Sequence, residues 1–131
     1  MTQLTWKYVK PIKDINAIAN FENKSGIKFP DDLKEIIIRF NNGRPSNKYF
    51  DTENEKECEF KKLLSFNIDD SENIYNTLGF ETKFKNLIAF ASNSSGNLIC
   101  LYEGKIVYWK SETDQIEPLS ETFTQFLEKL Y

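Results

Sequence analysis

The sequence predicts an α+β fold: an antiparallel sheet with helices packed against it, an N-terminal helix pair and a C-terminal helix. Three observations predict it. Apolar residues recur at helical spacing near both ends of the chain. The second half carries short apolar runs separated by dense turn formers. The resulting order of helix, helix, strands, short helix, meander and helix segregates helices from strands.

The elements follow in order. Ile12, Ile15, Ile18, Ala19 and Glu22 lie three or four apart, predicting a first helix with its apolar face through Ile18 and Ala19. Asp14 and Glu22 lie on its polar side, and Gly26 after Ser25 is a left-handed stop. A second helix follows with Pro30 in its first turn, and Asp31 and Asp32 complement its positive end. Leu33, Ile36, Ile37 and Phe40 share one face, and Asn42-Gly43 closes the helix, with Gly43 supplying the positive φ. Lys48-Tyr49-Phe50-Asp51 reads as extended, 51–57 as an acidic hairpin tip, and Cys58, Phe60 and Leu63 to Phe66 as strand or strand-edge segments. Ile68-Asp69-Asp70-Ser71 leads into a short helix through Ile74, Tyr75 and Leu78, capped by Asp70 or Ser71 and ended by Gly79. Leu87-Ile88-Ala89-Phe90-Ala91, Asn97 to Tyr102 and Ile106-Val107-Tyr108-Trp109 form a meander, turned at Ser92 to Gly96 and at Glu103-Gly104. After Pro118, Ser120 caps a final helix whose Phe123, Phe126, Leu127 and Leu130 share a face.

The 131 residues suit a single domain, 1–131, and the 11 Phe, 6 Tyr and 2 Trp can fill its core without a disulfide or metal staple. The longest apolar runs, Leu87 to Ala91 and Leu98 to Tyr102, are far short of a membrane span. Met1 to Trp6 lacks the basic-then-apolar layout of a signal peptide, so a cytoplasmic protein with no membrane partner is expected. The absence of histidine removes Ser-His-Asp and Cys-His chemistry and His-ligated zinc. Cys58 and Cys100 fit no CxxC or zinc spacing and read as reduced thiols. Phosphate-loop, dinucleotide and EF-hand patterns are missing too. Paired carboxylates are the acid–base machinery that remains. Glu55, Glu57 and Glu59 alternate and would share one face of a strand, but a catalytic pair needs a dry pocket and a run this polar suggests full solvation. We therefore expect no enzyme, cofactor or metal.

Charge is unevenly placed. Residues 1–50 hold nine basic and five acidic groups, 51–81 three and nine, and 82–131 five and six, within a net charge of −3. The acidic middle argues against nucleic acid as a direct ligand, which wants a basic stripe, and suits a basic protein partner.

Four stretches carry a family resemblance: Ile27-Lys28-Phe29-Pro30-Asp31-Asp32-Leu33; Phe40-Asn41-Asn42-Gly43-Arg44-Pro45; Leu87 to Ser92 running on to Gly96-Asn97-Leu98-Ile99-Cys100-Leu101; and Ile106-Val107-Tyr108-Trp109 ahead of the Ser120 to Phe126 helix start. In this order and spacing the sequence resembles the SUKH superfamily, which includes bacterial immunity proteins and the yeast cell-wall synthesis regulator of the Smi/Knr type. The resemblance implies a non-enzymatic binding domain: an immunity protein that neutralises the toxin domain of a polymorphic or contact-dependent toxin, a nuclease being one such toxin, or alternatively a regulatory scaffold module that binds a cellular protein, as in the yeast members. Family members often carry an acid in the turn before Gly96 and after the strand holding Trp109. Here those places read Ser92-Asn93-Ser94-Ser95 and Lys110-Ser111-Glu112, so the resemblance leaves an acidic contact there to Glu112 or to another residue.

The candidate partner-binding residues are Asp51, Glu53, Glu55 and Glu57 in the hairpin tip, Asp69 and Asp70 before the short helix, Asn93 in the meander turn, Trp109 and Glu112. The acids would draw a basic toxin by long-range attraction. Against this stands a plainer reading of each: a solvated loop, acids favoured by a helix dipole, a hairpin turn, a core tryptophan. Tryptophan is also a frequent interface anchor, so exposure decides its role.

Overall fold

The computed structural model describes residues 4–78 and 80–131. The expected helix stop at Gly79 and the first three residues of the leader reading lie outside them.

The N-terminal helices are α1, Ala17–Ser25, and α2, Asp31–Phe40. The first begins later than its spacing predicts. Asp14 folds a tight turn ahead of it, its carboxylate accepting from Asn16 N at 2.9 Å and its carbonyl from Ala17 N at 3.0 Å. Ile12 is therefore only half-buried, ahead of the helix, and Ile15 points to solvent. At the other end Gly26 takes φ 76° and its N–H bonds Glu22 O, the expected left-handed stop. Pro30 stands as the N-cap of α2, one position before the first turn. Leu33 and Ile37 are buried, with Ile36 and Phe40 packed beside them.

The close of α2 corrects one expectation. Asn42, not Gly43, carries the positive φ, at 69°. Glycine serves for clearance: a Cβ at position 43 would lie 2.6 Å from Phe40 O and 3.1 Å from Trp6 Cε3. The chain leaves through β2, Arg44–Pro45, paired antiparallel with β1, Trp6–Lys7.

Next, β3, Tyr49–Phe50, pairs with β4, Cys58–Glu59, so residues 51–57 do form a hairpin loop. The edge strand β5, Lys62–Leu63, follows, and then a 3-10 turn, Ile74–Thr77. Its cap is Asn73, which accepts from Asn76 N, rather than Asp70 or Ser71. The expected meander is β6, Ile88–Ser92, β7, Leu98–Tyr102, and β8, Lys105–Lys110. Glu103 and Gly104 turn it with φ of 52° and 79°, the left-handed pair that suits strand twist.

One strand went unforeseen. β9, Gln115–Ser120, pairs with β8 and ends the sheet in the order β5-β6-β7-β8-β9. Pro118 reads as a strand breaker, yet an edge strand tolerates proline because one side needs no ladder bonds. The strand displaces the helix start. α3, Phe123–Glu128, is capped by Thr122, whose side chain and that of Gln125 form a reciprocal capping box. Ser120 instead bonds Thr122 O at 2.7 Å.

Both faces of the sheet are covered. On one, Phe50 meets Tyr108 at 5.2 Å and Phe126 at 5.3 Å, and Phe123 meets Phe90 at 5.5 Å. On the other, Phe80 packs on Trp109 at 4.9 Å and Phe84 on Tyr102 at 5.8 Å.

Candidate protein-binding surface

The hairpin loop folds itself through short-range bonds. Thr52 Oγ1 accepts from Glu55 N at 2.9 Å and Asn54 N at 3.2 Å. Asp51 Oδ1 accepts from Glu57 N at 3.0 Å and from the Tyr131 hydroxyl at 2.6 Å. That Tyr131 bond, with the Glu57 N–H, holds the Asp51 carboxyl below its ordinary value. Glu57 itself takes φ 56°, so Glu55, Glu57 and Glu59 do not share one strand face, and only Glu59 lies in a strand.

A lysine fixes this loop to the sheet. Lys110 Nζ lies 2.7 Å from Glu55 Oε1 and 2.8 Å from Glu117 Oε2. Asn54 Nδ2 donates to the other Glu117 oxygen at 2.6 Å. Glu117 is buried, and burial alone would raise its carboxyl; Lys110 and Asn54 outweigh that and hold it below the usual glutamate value. The hairpin is thus braced by a half-enclosed ion triad, which corrects the expectation of full solvation. Cys58 sits beside it, its thiol pushed up to about 11 by burial and by neighbouring Glu55, which favours the protonated form.

Two further turns reach the same end of the sheet. In the β6–β7 turn, Asn93 donates to Glu59 O at 2.8 Å and accepts from Ser95 N at 2.7 Å, while Ser94 N donates to Glu59 Oε1 at 3.0 Å. Asn93 is therefore a turn-holding residue. Asn97 Oδ1 accepts from Ser111 N at 2.9 Å, tying this turn to the β8–β9 turn. There Asp114 takes φ 53° and accepts from the Thr82 hydroxyl at 2.5 Å, the Trp109 indole at 2.7 Å and Lys83 N at 2.7 Å. Those bonds, the Thr82 one foremost, hold its carboxyl low. Trp109 is buried against Phe80, which corrects its candidacy as an exposed anchor: both its ring and its N–H are occupied inside the chain.

Where the three turns meet, Glu55, Ser95, Asn97, Lys110, Ser111 and Glu112 line a cleft of about 260 Å³. Glu53, Glu57 and Glu112 are exposed and form no ion pair among the described residues, unlike Glu55 with Lys110 and Asp51 with Lys56.

Asp69 and Asp70 do not join this surface. Asp70 accepts from the Ser65 hydroxyl at 2.5 Å and pairs with Lys10 at 3.3 Å; the Ser65 bond leads the groups that depress its carboxyl. Asp69 pairs with Lys13 at 3.5 Å. The acidic middle of the sequence is split in space because Phe60 and Leu63 to Phe66 run through the core between its two halves. Lys110, Glu117, Asn97 and Tyr131 were missed as site residues. The signal for Lys110 and Glu117 was the pairing of β8 with β9, concealed by Pro118.

This end offers hydrogen-bond acceptors and negative charge on a braced frame. Among the described residues no cluster of His, Cys, Asp and Glu could hold a metal ion, and no helix is long and apolar enough to cross a membrane. Residues 15–127 match the family model of the SUKH type described as SMI1-KNR4 cell-wall. No curated protein and no solved structure matches the chain significantly.

Proposed function

The chain belongs to the SUKH superfamily, within its SMI1-KNR4 cell-wall family, and from that premise we propose that it is an immunity protein that binds and neutralises one cognate toxin domain. SUKH domains in general bind protein partners. The observation that carries the reading is the hairpin end of the sheet, where Glu53, Glu57 and Glu112 stay unpaired while Lys110 fixes the loop that presents two of them. A loop already ordered loses little further entropy on binding. Its charge suits a basic target, and a nuclease is such a target because its own cleft must attract phosphate. The protein would act in the cytoplasm by occluding that cleft and would catalyse nothing itself.

Co-expression tests this. With the toxin domain encoded beside its gene, the protein is expected to restore growth to a host that the toxin arrests, and to elute with it as one complex. Continued arrest with no complex overturns the reading. The family's cell-wall description favours a second one, a regulatory scaffold for a cellular protein; a genetic neighbourhood without any toxin gene supports that alternative.

A further inference from the structure

The ribbon of β1 and β2 has an inner and an outer face. Inside, Trp6 stacks on Phe40 at 5.4 Å and meets Phe60 at 6.3 Å, with buried Pro45 as its cross-strand partner. Outside, Lys7 and Arg44 are direct cross-strand partners, and both are exposed. Like charges so placed oppose the pairing that carries them. Neither forms an ion pair among the described residues. The next residue, Tyr8, takes φ 61°, which a bulky side chain rarely adopts, and is 70% exposed. Asn42 holds it there by donating to Tyr8 O at 2.9 Å, and the Arg44 guanidinium stands 5.3 Å from the centre of its ring. A strained backbone that presents an aromatic ring to solvent adds nothing to the core.

The acids around the ribbon are already spent. Lys10 holds Asp70 at 3.3 Å and Lys61 holds Glu72 at 3.1 Å. Glu59, near Lys61, accepts from Ser94 N in the β6–β7 turn. Buried Lys62 bonds Asn42 Oδ1 and lies 4.0 Å from Glu72. Burial first, and then repulsion by Arg44, Lys10 and Lys61, outweigh Glu72 and hold its ammonium below the ordinary lysine value. Positive charge is therefore in excess here, and Lys7 and Arg44 carry it to the surface.

We infer that this ribbon is a second docking surface, and that its occupant is a short acidic segment of a protein. Arg44 offers a planar fork to one carboxylate, Lys7 a second charge across the ribbon, and Tyr8 an aromatic anchor beside them. A partner's carboxylates turn the Lys7–Arg44 repulsion into attraction. Two unpaired cations match a short segment, whereas a nucleic acid needs a longer basic stripe. The surface shares no residue with the hairpin end and has the opposite sign, so the inference does not rest on the immunity reading.

Fluorescence anisotropy of labelled hexaglutamate, titrated with the full chain at low salt, tests it. Binding is expected below about 1 mM. Arg44→Gln and Tyr8→Asn should each weaken it by about threefold or more, the asparagine being a residue that tolerates the left-handed backbone. Lys7→Glu should weaken it by about tenfold or more and also raise the thermal midpoint by about 1–4 °C, because it places opposite charges across the ribbon. Lys28→Glu, the same charge change at an exposed lysine between α1 and α2, should leave binding within about twofold of the parent. No binding at about 1 mM overturns the inference, as does tighter binding of an oligothymidylate of equal charge. Equal weakening by Lys28→Glu overturns it too, since bulk charge would then be the cause. A thermal midpoint that Lys7→Glu leaves unchanged or lowers removes the unrelieved repulsion on which the inference stands.

Discussion

Gly43 shows how a single residue can be right for a reason the sequence does not display. The pair Asn42-Gly43 announces the end of α2, and glycine is the ordinary left-handed residue. Yet Asn42 takes that conformation, and its amide secures the choice by donating to Tyr8 O at 2.9 Å. What position 43 lacks is room, since Phe40 O is backbone and cannot swing aside. Gly43→Ala should therefore destabilise the fold by about 1–3 kcal/mol, measured by urea unfolding; an unchanged midpoint would contradict the clearance argument. Carboxylates give a second prediction at this scale. Asp114 and Glu117 are held below the ordinary carboxylate range in the folded chain, Asp114 by the Thr82, Trp109 and Lys83 bonds and Glu117 by Lys110 and Asn54. The unfolded chain thus binds protons more readily than the folded one in the acid range. Their contribution is fully present above the unfolded values and is lost as pH falls through the lower, folded ones. The urea midpoint should drop steadily below about pH 4.5, and Asp114→Asn or Glu117→Gln should flatten that slope. A slope unaffected by either change would mean the hydrogen bonds do not favour the charged forms.

Among the elements, legibility followed the strength of local signals. The meander was plain because its apolar runs end at Ser92 to Gly96 and at Glu103-Gly104, whose chemistry requires turns. α2 was plain because its apolar spacing and its terminal residues agree. The start of α1 was not: Ile12 and Ile15 continue the helical period, but the Asp14 side chain offers the backbone a competing turn. β9 was hidden by a proline whose cost depends on being central or at an edge, which is a tertiary fact. Missing β9 also concealed the Lys110–Glu117 pair and the true cap of α3. That cap is testable: Thr122→Ala removes half of the capping box and should cost about 1 kcal/mol in unfolding experiments. Lys110→Met tests the brace. Amides in 53–57 should exchange with deuterium about tenfold faster or more, while those of β7 keep their protection. Equal acceleration in both would mean that the lysine supports the whole sheet rather than the hairpin.

For the molecule as a whole, charge in sequence and charge in space are different quantities. The basic first part and the acidic middle partly cancel on folding, because Lys10 meets Asp70 and Lys13 meets Asp69. At the hairpin end Glu53, Glu57 and Glu112 form no ion pair among the described residues, so negative charge is left there for a partner. Attraction at a distance acts on the encounter rate more than on the lifetime of a docked complex. Replacing Glu53, Glu57 and Glu112 with lysine should therefore slow association with the toxin domain by about tenfold or more at low ionic strength. The effect should fade as salt shortens the screening length to about 8 Å near physiological strength and further above it. Asp69→Lys is the control, at a third of the charge change: its partner is Lys13, away from the hairpin end, so the association rate should stay close to the parent's. If the control slows binding by about a third of the triple replacement's logarithmic effect, in proportion to its charge change, net charge is the cause and the hairpin end has no special part in docking. If neither slows it while the complex still forms, the toxin meets this protein through shape alone.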